Sequence, residues 1–194
     1  MSIVRWLRGL IYVALASLIN SGFSYLPAVP AIVTTWISRV IMAVAAVFML
    51  KLAPANKRYR KAGILRAAML ACNLITAFLF GSVLLTFAAS IFSIIAVYQE
   101  YHAHSELIAD KDVRLSGKWK NLFVWSIAAA LLLTFGASIV AVILMTADML
   151  TSTSPISAIA IGLLHIPERV VEIVYILYIN KMISILDETG LERN

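Results

Sequence analysis

Between Ile64 and Tyr98 the chain is almost continuously apolar for 35 residues, and no other stretch restricts the fold as strongly. As a single helix it would be about 50 Å long at 1.5 Å per residue, too long for a hydrocarbon core of roughly 30 Å. It must therefore be two membrane spans joined by a tight turn. Gly81 and Ser82 are the place for that turn, because these residue types punctuate an otherwise helical pattern.

The same logic divides the rest of the chain. Arg5 and Arg8 precede an apolar stretch that looks like the start of a signal peptide, but no small-residue cleavage site follows it around Asn20, Ser21 and Gly22. Residues 8–26 are expected to be a retained first span. Pro27 and Pro30 break the helix, since proline lacks an amide hydrogen and restricts the residue before it. Further spans are expected at 31–50, 64–80, 83–101, 121–144 and 157–180. A basic loop runs from Lys51 to Lys61. A polar segment from Glu100 to Lys120 is expected to stay helical through Ile108 and to loop around Ser116 and Gly117. The polar run from Thr151 to Pro155 marks another turn, and a short polar tail follows Lys181.

Composition agrees with this division. Hydrophobic residues make up 62% of the 194, charged residues only 13%, and the mean hydropathy is +0.93, whereas a soluble domain is about half apolar and a quarter charged. No stretch is left over for a soluble catalytic domain. Segments 1–9, 51–66, 100–120 and 181–194 hold 14 of the 16 Lys and Arg, and the turns between them hold none. By the positive-inside rule both termini and both long loops face the cytoplasm, which requires an even number of spans. The expected fold class is therefore an all-α integral membrane protein of the inner or plasma membrane. Its six transmembrane helices form three helical hairpins in a single polytopic domain over 1–194, with the N-terminus and C-terminus cytoplasmic. The net charge of +6 is accounted for by orientation, so nucleic acid is not an expected partner. The hairpins also share an exit pattern, an aromatic residue just before a polar one at Phe48–Lys51, Tyr98–His102 and Tyr178–Lys181.

Charge inside the spans is the exception that needs explaining. His165, Glu168, Arg169 and Glu172 have helical spacings of three and four, which place them in an arc of roughly 100° on one helix. Arg39 lies 12 residues before Lys51, and Arg169 lies 12 before Lys181, so the two share a depth about 18 Å from that interface. An unpaired charge there costs roughly 3 kcal/mol. Two arginines and two glutamates sum to zero, so a network of Arg39, Glu168, Arg169 and Glu172 is expected, either as a structural clamp or as a polar, water-accessible site. Pro167 cannot donate to the Leu163 carbonyl and should kink this helix beside the charges. His165 supplies a side chain of the type that titrates near neutrality.

Other clusters read more simply. Glu100 with His104, and His102 with Glu106, have the i, i+4 spacing of metal ligands, but the two pairs point about 200° apart. Each offers two ligands where zinc needs at least three, so a polar helix end is expected and no metal. Small and polar residues in three spans (Ser82, Thr86, Ala89, Ser90 and Ser93; Arg66, Asn73 and Ala77; Ser126, Ala130 and Ala137) mark close helix contacts. Trp6, Tyr59, Trp119, Tyr175 and Tyr178 are expected to form an interfacial aromatic belt. Cys72 is the only cysteine and excludes an intrachain disulfide.

The chain has no Walker loop, dinucleotide fingerprint, HExxH or GxSxG. No enzymatic activity and no cofactor are expected. The function read first is a non-enzymatic membrane component, whose partners are the lipid bilayer and another membrane protein or a second copy of the chain. The alternative is a small-solute or proton-coupled transporter using Arg39, His165, Glu168, Arg169 and Glu172.

Overall fold

The computed structural model describes residues 3–23, 29–78, 81–146 and 155–188. Over them it is all-α, with α1 (Ile3–Phe23), α2 (Ala31–Leu52), α3 (Lys57–Phe78), α4 (Val83–Ile108), α5 (Val113–Thr146) and α6 (Pro155–Glu188). The helix break at Pro27, the turn at 151–154 and the tail after Glu188 lie outside the described residues. Five helices, α1 to α4 and α5 over Val113–Val140, are long and apolar enough to cross a membrane. Among the described residues α6 does not add a sixth, and it carries Glu168, Arg169 and Glu172 in its middle. The protein is a polytopic all-α membrane protein.

Local chemistry sets the helix boundaries. Gly81 has φ +89°, a conformation favourable to glycine alone, and its amide bonds to the Thr76 carbonyl at 3.2 Å to close α3. Ser82 then caps α4, accepting the Leu85 amide through Oγ at 3.5 Å. The long apolar run is thus split at the two residues expected to split it. The next boundary differs from expectation. Asp112 Oδ1 accepts the Leu115 amide at 2.8 Å, a strong N-terminal cap that starts α5 at Val113. Ser116 and Gly117 are helical, not a loop. Likewise Asn56 Oδ1 accepts the Arg58 amide at 2.8 Å, and α3 begins at Lys57, well before residue 64.

Each helix packs on its neighbours in the chain, and α1 packs on α6, so the six close into a ring. Gly63 lets α3 approach α2 closely, because a Cβ there would stand 3.0 Å from the Ala46 carbonyl oxygen and 2.8 Å from the Leu50 side chain. The densest core is at one end of the ring. There Val4, Leu7, Met49, Leu52, Tyr59, Ile108, Leu115, Trp119, Ile179 and Met182 are all almost fully buried. Polar contacts tie the same end together: Arg8 to Asp187 at 3.0 Å, Arg58 to Glu106 at 2.6 Å and Lys181 to Asp112 at 3.7 Å. Away from this end the helices present large apolar side chains outward, among them Phe78, Val83, Leu84, Phe87, Trp125 and Phe135, as expected of a surface solvated by lipid.

The aromatic residues correct one expectation. Tyr59, Trp119 and Tyr175 are core residues, not a lipid-facing belt. Tyr175 stacks on Tyr101 with ring centroids 5.6 Å apart, and Trp119 meets Tyr175 edge-on at 5.6 Å. The aromatic ring surface is spent against a buried histidine instead of the headgroups.

Candidate functional site

Between the helices lies a partly open cavity of about 310 Å³ lined by α1, α2, α3, α4 and α6. Its walls are largely apolar, with Leu10, Val13, Ile41, Met42, Met69 and Val97 among them, and they close on Arg66, Glu100, Tyr101 and Tyr175. A second chamber of about 280 Å³ is polar and is lined by Asn20, Ser21, Thr34, Thr35, Glu168 and Arg169. Ser17, Ser38 and Glu172 line both. The two chambers therefore share a wall, with a carboxylate in it.

At one end of this space lies a buried ion pair. Glu100, 1% exposed, accepts from Arg66 Nη2 on α3 and from the Tyr175 hydroxyl on α6. His104, one helical turn further along α4 and 0% exposed, holds Nε2 3.8 Å from Glu100 Oε1. Its other ring nitrogen, Nδ1, is 2.8 Å from the Tyr59 hydroxyl. A tautomer with hydrogen on Nε2 lets Tyr59 donate to Nδ1 and turns an N–H toward the carboxylate. Trp119 lies over the imidazole with centroids 4.5 Å apart. One guanidinium and one carboxylate make the group electrically neutral, which is the condition for holding charge inside a membrane protein.

The sequence expectation missed this pair. Arg66 was expected to mark a packing face with Asn73 and Ala77, and Glu100 a polar helix end. The i, i+4 relation of Glu100 and His104 is retained as a 3.8 Å approach of Nε2 to the carboxylate, too long for a hydrogen bond, while His102 turns away and places Nδ1 3.0 Å from the Tyr98 carbonyl. Among the described residues no three His, Cys, Asp or Glu side chains gather as metal ligands.

The charged stripe of α6 is built as its spacing requires. His165 Nδ1 is 3.3 Å from Glu168 Oε2, and Arg169 is 3.6 Å from Glu168 and 2.6 Å from Glu172. Ser17 Oγ on α1 lies 3.5 Å from Glu172 Oε1. His165, Glu168, Arg169 and Glu172 are therefore in contact along one face of α6. Arg39 does not join them: its guanidinium lies over the Trp36 ring, 4.6 Å from the centroid, and no ion pair between Arg39 and α6 occurs among the described residues. Its neighbour Ser38 faces the polar chamber in its place. Equal depth is not equal direction, since adjacent residues on a helix point about 100° apart.

Pro167 lies inside α6 without ending it. Four residues earlier the Leu163 carbonyl lacks its intrahelical donor, so the helix is locally weaker beside Glu168 and Arg169. Pro167 itself faces α5, lining a groove with Leu122, Trp125 and Ala129.

No protein-family model matches the chain, and no curated protein and no solved structure matches it. The site's chemistry has to carry the functional reading.

Proposed function

We propose that this protein is a proton-coupled carrier of a small polar solute, with both termini and the basic loops in the cytoplasm and the six helices arranged as three hairpins. The observation that carries the reading is the pair of chambers meeting at Glu172. A sealed ion-pair clamp would serve association with another membrane protein equally well, but it has no use for a cavity beside its carboxylate. A volume of about 310 Å³ is at the lower end of the range for small-molecule sites.

The residues divide the work. Ser17, Ser38, Asn20, Thr34 and Thr35 offer hydroxyls and an amide to the solute. Glu172 exchanges the proton: when it is ionised Arg169 and Ser17 hold it, and when it is protonated Arg169 is released to Glu168. That change of partner alters the charge at the wall between the chambers, which is what couples solute to proton. The neutral Arg66 and Glu100 pair anchors α3, α4 and α6 at the closed end. The gathering of the basic residues other than Arg39, Arg66 and Arg169 in the segments assigned to one side supports the orientation.

The test is reconstitution in liposomes loaded with a pH-sensitive dye, with amines, sugars and carboxylates supplied in turn outside under an imposed pH gradient. Solute-dependent proton movement should occur with wild-type protein and be lost in Glu172→Gln. A carrier is ruled out if no solute in the panel moves protons through correctly folded wild-type protein.

A further inference from the structure

We infer that the solute is a small primary or secondary alkylammonium ion, bound with its nitrogen in the polar chamber and its alkyl chain in the apolar one. The inference rests on the carrier reading only in taking the chambers to be accessible.

Charge is the first argument. The residues lining the two chambers include three carboxylates, Glu100, Glu168 and Glu172, and two guanidiniums, Arg66 and Arg169. Glu100 is matched by Arg66, and Glu172 by Arg169. Glu168, with His165 Nδ1 at 3.3 Å, has only a share of Arg169 at 3.6 Å, so the carboxylates lining the two chambers outnumber the guanidiniums by one. Inside a membrane such an excess is costly, and a monovalent cation removes it.

The second argument is independent of charge. Asn20 is 6% exposed, and its Nδ2 lies 3.0 Å from the Thr34 carbonyl and 2.8 Å from Ser38 Oγ. The Thr34 carbonyl can only accept, which fixes the nitrogen on that side and the oxygen on the other. That oxygen, Oδ1, is buried without a hydrogen-bond partner in a residue that lines the polar chamber. A buried acceptor of this kind needs a donor. An ammonium N–H supplies it, and a quaternary ammonium could not. Arg66 and Arg169 also leave Nε unpartnered, but the charge of each guanidinium is already matched by a glutamate.

The third argument is the shape of the lining. Beyond Ser17 and Ser38 the adjoining chamber is walled by Val13, Ala14, Ile41, Met42 and Ala45, which suits a short alkyl chain and offers a sugar few partners.

The experiment uses three compounds of one shape and different charge, n-butylammonium, n-butanol and butyrate, against a cysteine reporter in the full chain. Ser38→Cys is made in a Cys72→Ser background, and its modification by the neutral reagent N-ethylmaleimide is timed in proteoliposomes, with Lys57→Cys as the exposed control. Thr35→Cys, which lines the same chamber, replaces the reporter if Ser38→Cys does not fold. n-Butylammonium at about ten times its Kd should slow labelling roughly tenfold, n-butanol and butyrate should leave it unchanged, and Glu168→Gln should remove the protection. Protection by butyrate, or equally by all three compounds, overturns the alkylammonium assignment while leaving an accessible site for a carrier. If Lys57→Cys reacts and neither chamber reporter does, the chambers are sealed, and both the assignment and the carrier reading fail.

Discussion

The side-chain amide of Asn20 on α1 reaches α2 twice, donating to the Thr34 carbonyl at 3.0 Å and to Ser38 Oγ at 2.8 Å. Between two transmembrane helices such bonds take the place of the hydrophobic drive that lipid cannot provide. Replacing Asn20 with Leu removes both donors, and the expected loss is about 1–2 kcal/mol. Thermal unfolding in detergent measures it. An unchanged midpoint would mean that α1 and α2 are held together by packing alone.

Arg66 and Glu100 should behave as a unit. Removing one partner strands a buried charge and should cost about 3–5 kcal/mol, whereas replacing both with apolar residues of similar size is close to neutral. Arg66→Met and Glu100→Leu are therefore each expected to unfold early, and the double variant to recover most of the loss. A double-mutant cycle on unfolding midpoints reads the coupling directly. Strictly additive losses would show that each residue serves something other than its partner.

Tyr59 offers a narrower probe of the same neighbourhood. Its hydroxyl lies 2.8 Å from Nδ1 of the fully buried His104. Tyr59→Phe keeps the ring and leaves the imidazole nitrogen without its partner, at a cost of about 1–3 kcal/mol. Tyr178→Phe, a change at a half-buried ring, is the control and should fall within about 0.5 kcal/mol of wild type.

Asp112 supplies a pH dependence outside the spans. The Leu115 amide hydrogen bond, with Lys181 3.7 Å away adding to it, holds the Asp112 carboxyl below the usual carboxylate range. A carboxyl depressed in the folded state stabilises fully above its unfolded value, near 3.9, and the contribution fades as pH falls through the lower folded value. The midpoint difference between wild type and Asp112→Asn should accordingly be widest near neutrality and shrink below about pH 4. A difference constant from pH 7 to pH 3 would mean that the cap works without its charge.

How much of this was legible depends on whether a feature is local to one helix. The split of the 35-residue run at Gly81 and Ser82 could be read because length and turn chemistry both act within a few residues. The α6 stripe could be read because three- and four-residue spacings are fixed by the helix itself. The Arg66 and Glu100 pair could not, since its partners come from α3 and α4 and meet only after those helices pack. One signal did point that way: Arg66 and Glu100 stand at the polar ends of adjoining apolar runs, and their signs are opposite. The early start of α5 was hidden by the polar residues before Asn121, which look like loop but are organised by the Asp112 cap. Tyr59, Trp119 and Tyr175 suited an interfacial belt by composition, and only the packing around His104 shows why they turn inward.

Arg39 gives the sharpest contrast between depth along a helix and direction around it. Its spacing places it level with Arg169, yet its guanidinium rests on Trp36 while Arg169 bridges Glu168 and Glu172. Arg39→Ala should therefore lose only the stacking, about 0.5–1 kcal/mol. Arg169→Ala leaves two carboxylates in the polar chamber with no guanidinium and should lose about 2 kcal/mol or more, part of which Glu172→Gln restores because it removes one of the stranded charges. Unfolding midpoints of the three variants decide the matter. Equal losses for Arg39→Ala and Arg169→Ala, both relieved by Glu172→Gln, would place Arg39 in the network after all and reverse the assignment of Ser38 to the chamber wall.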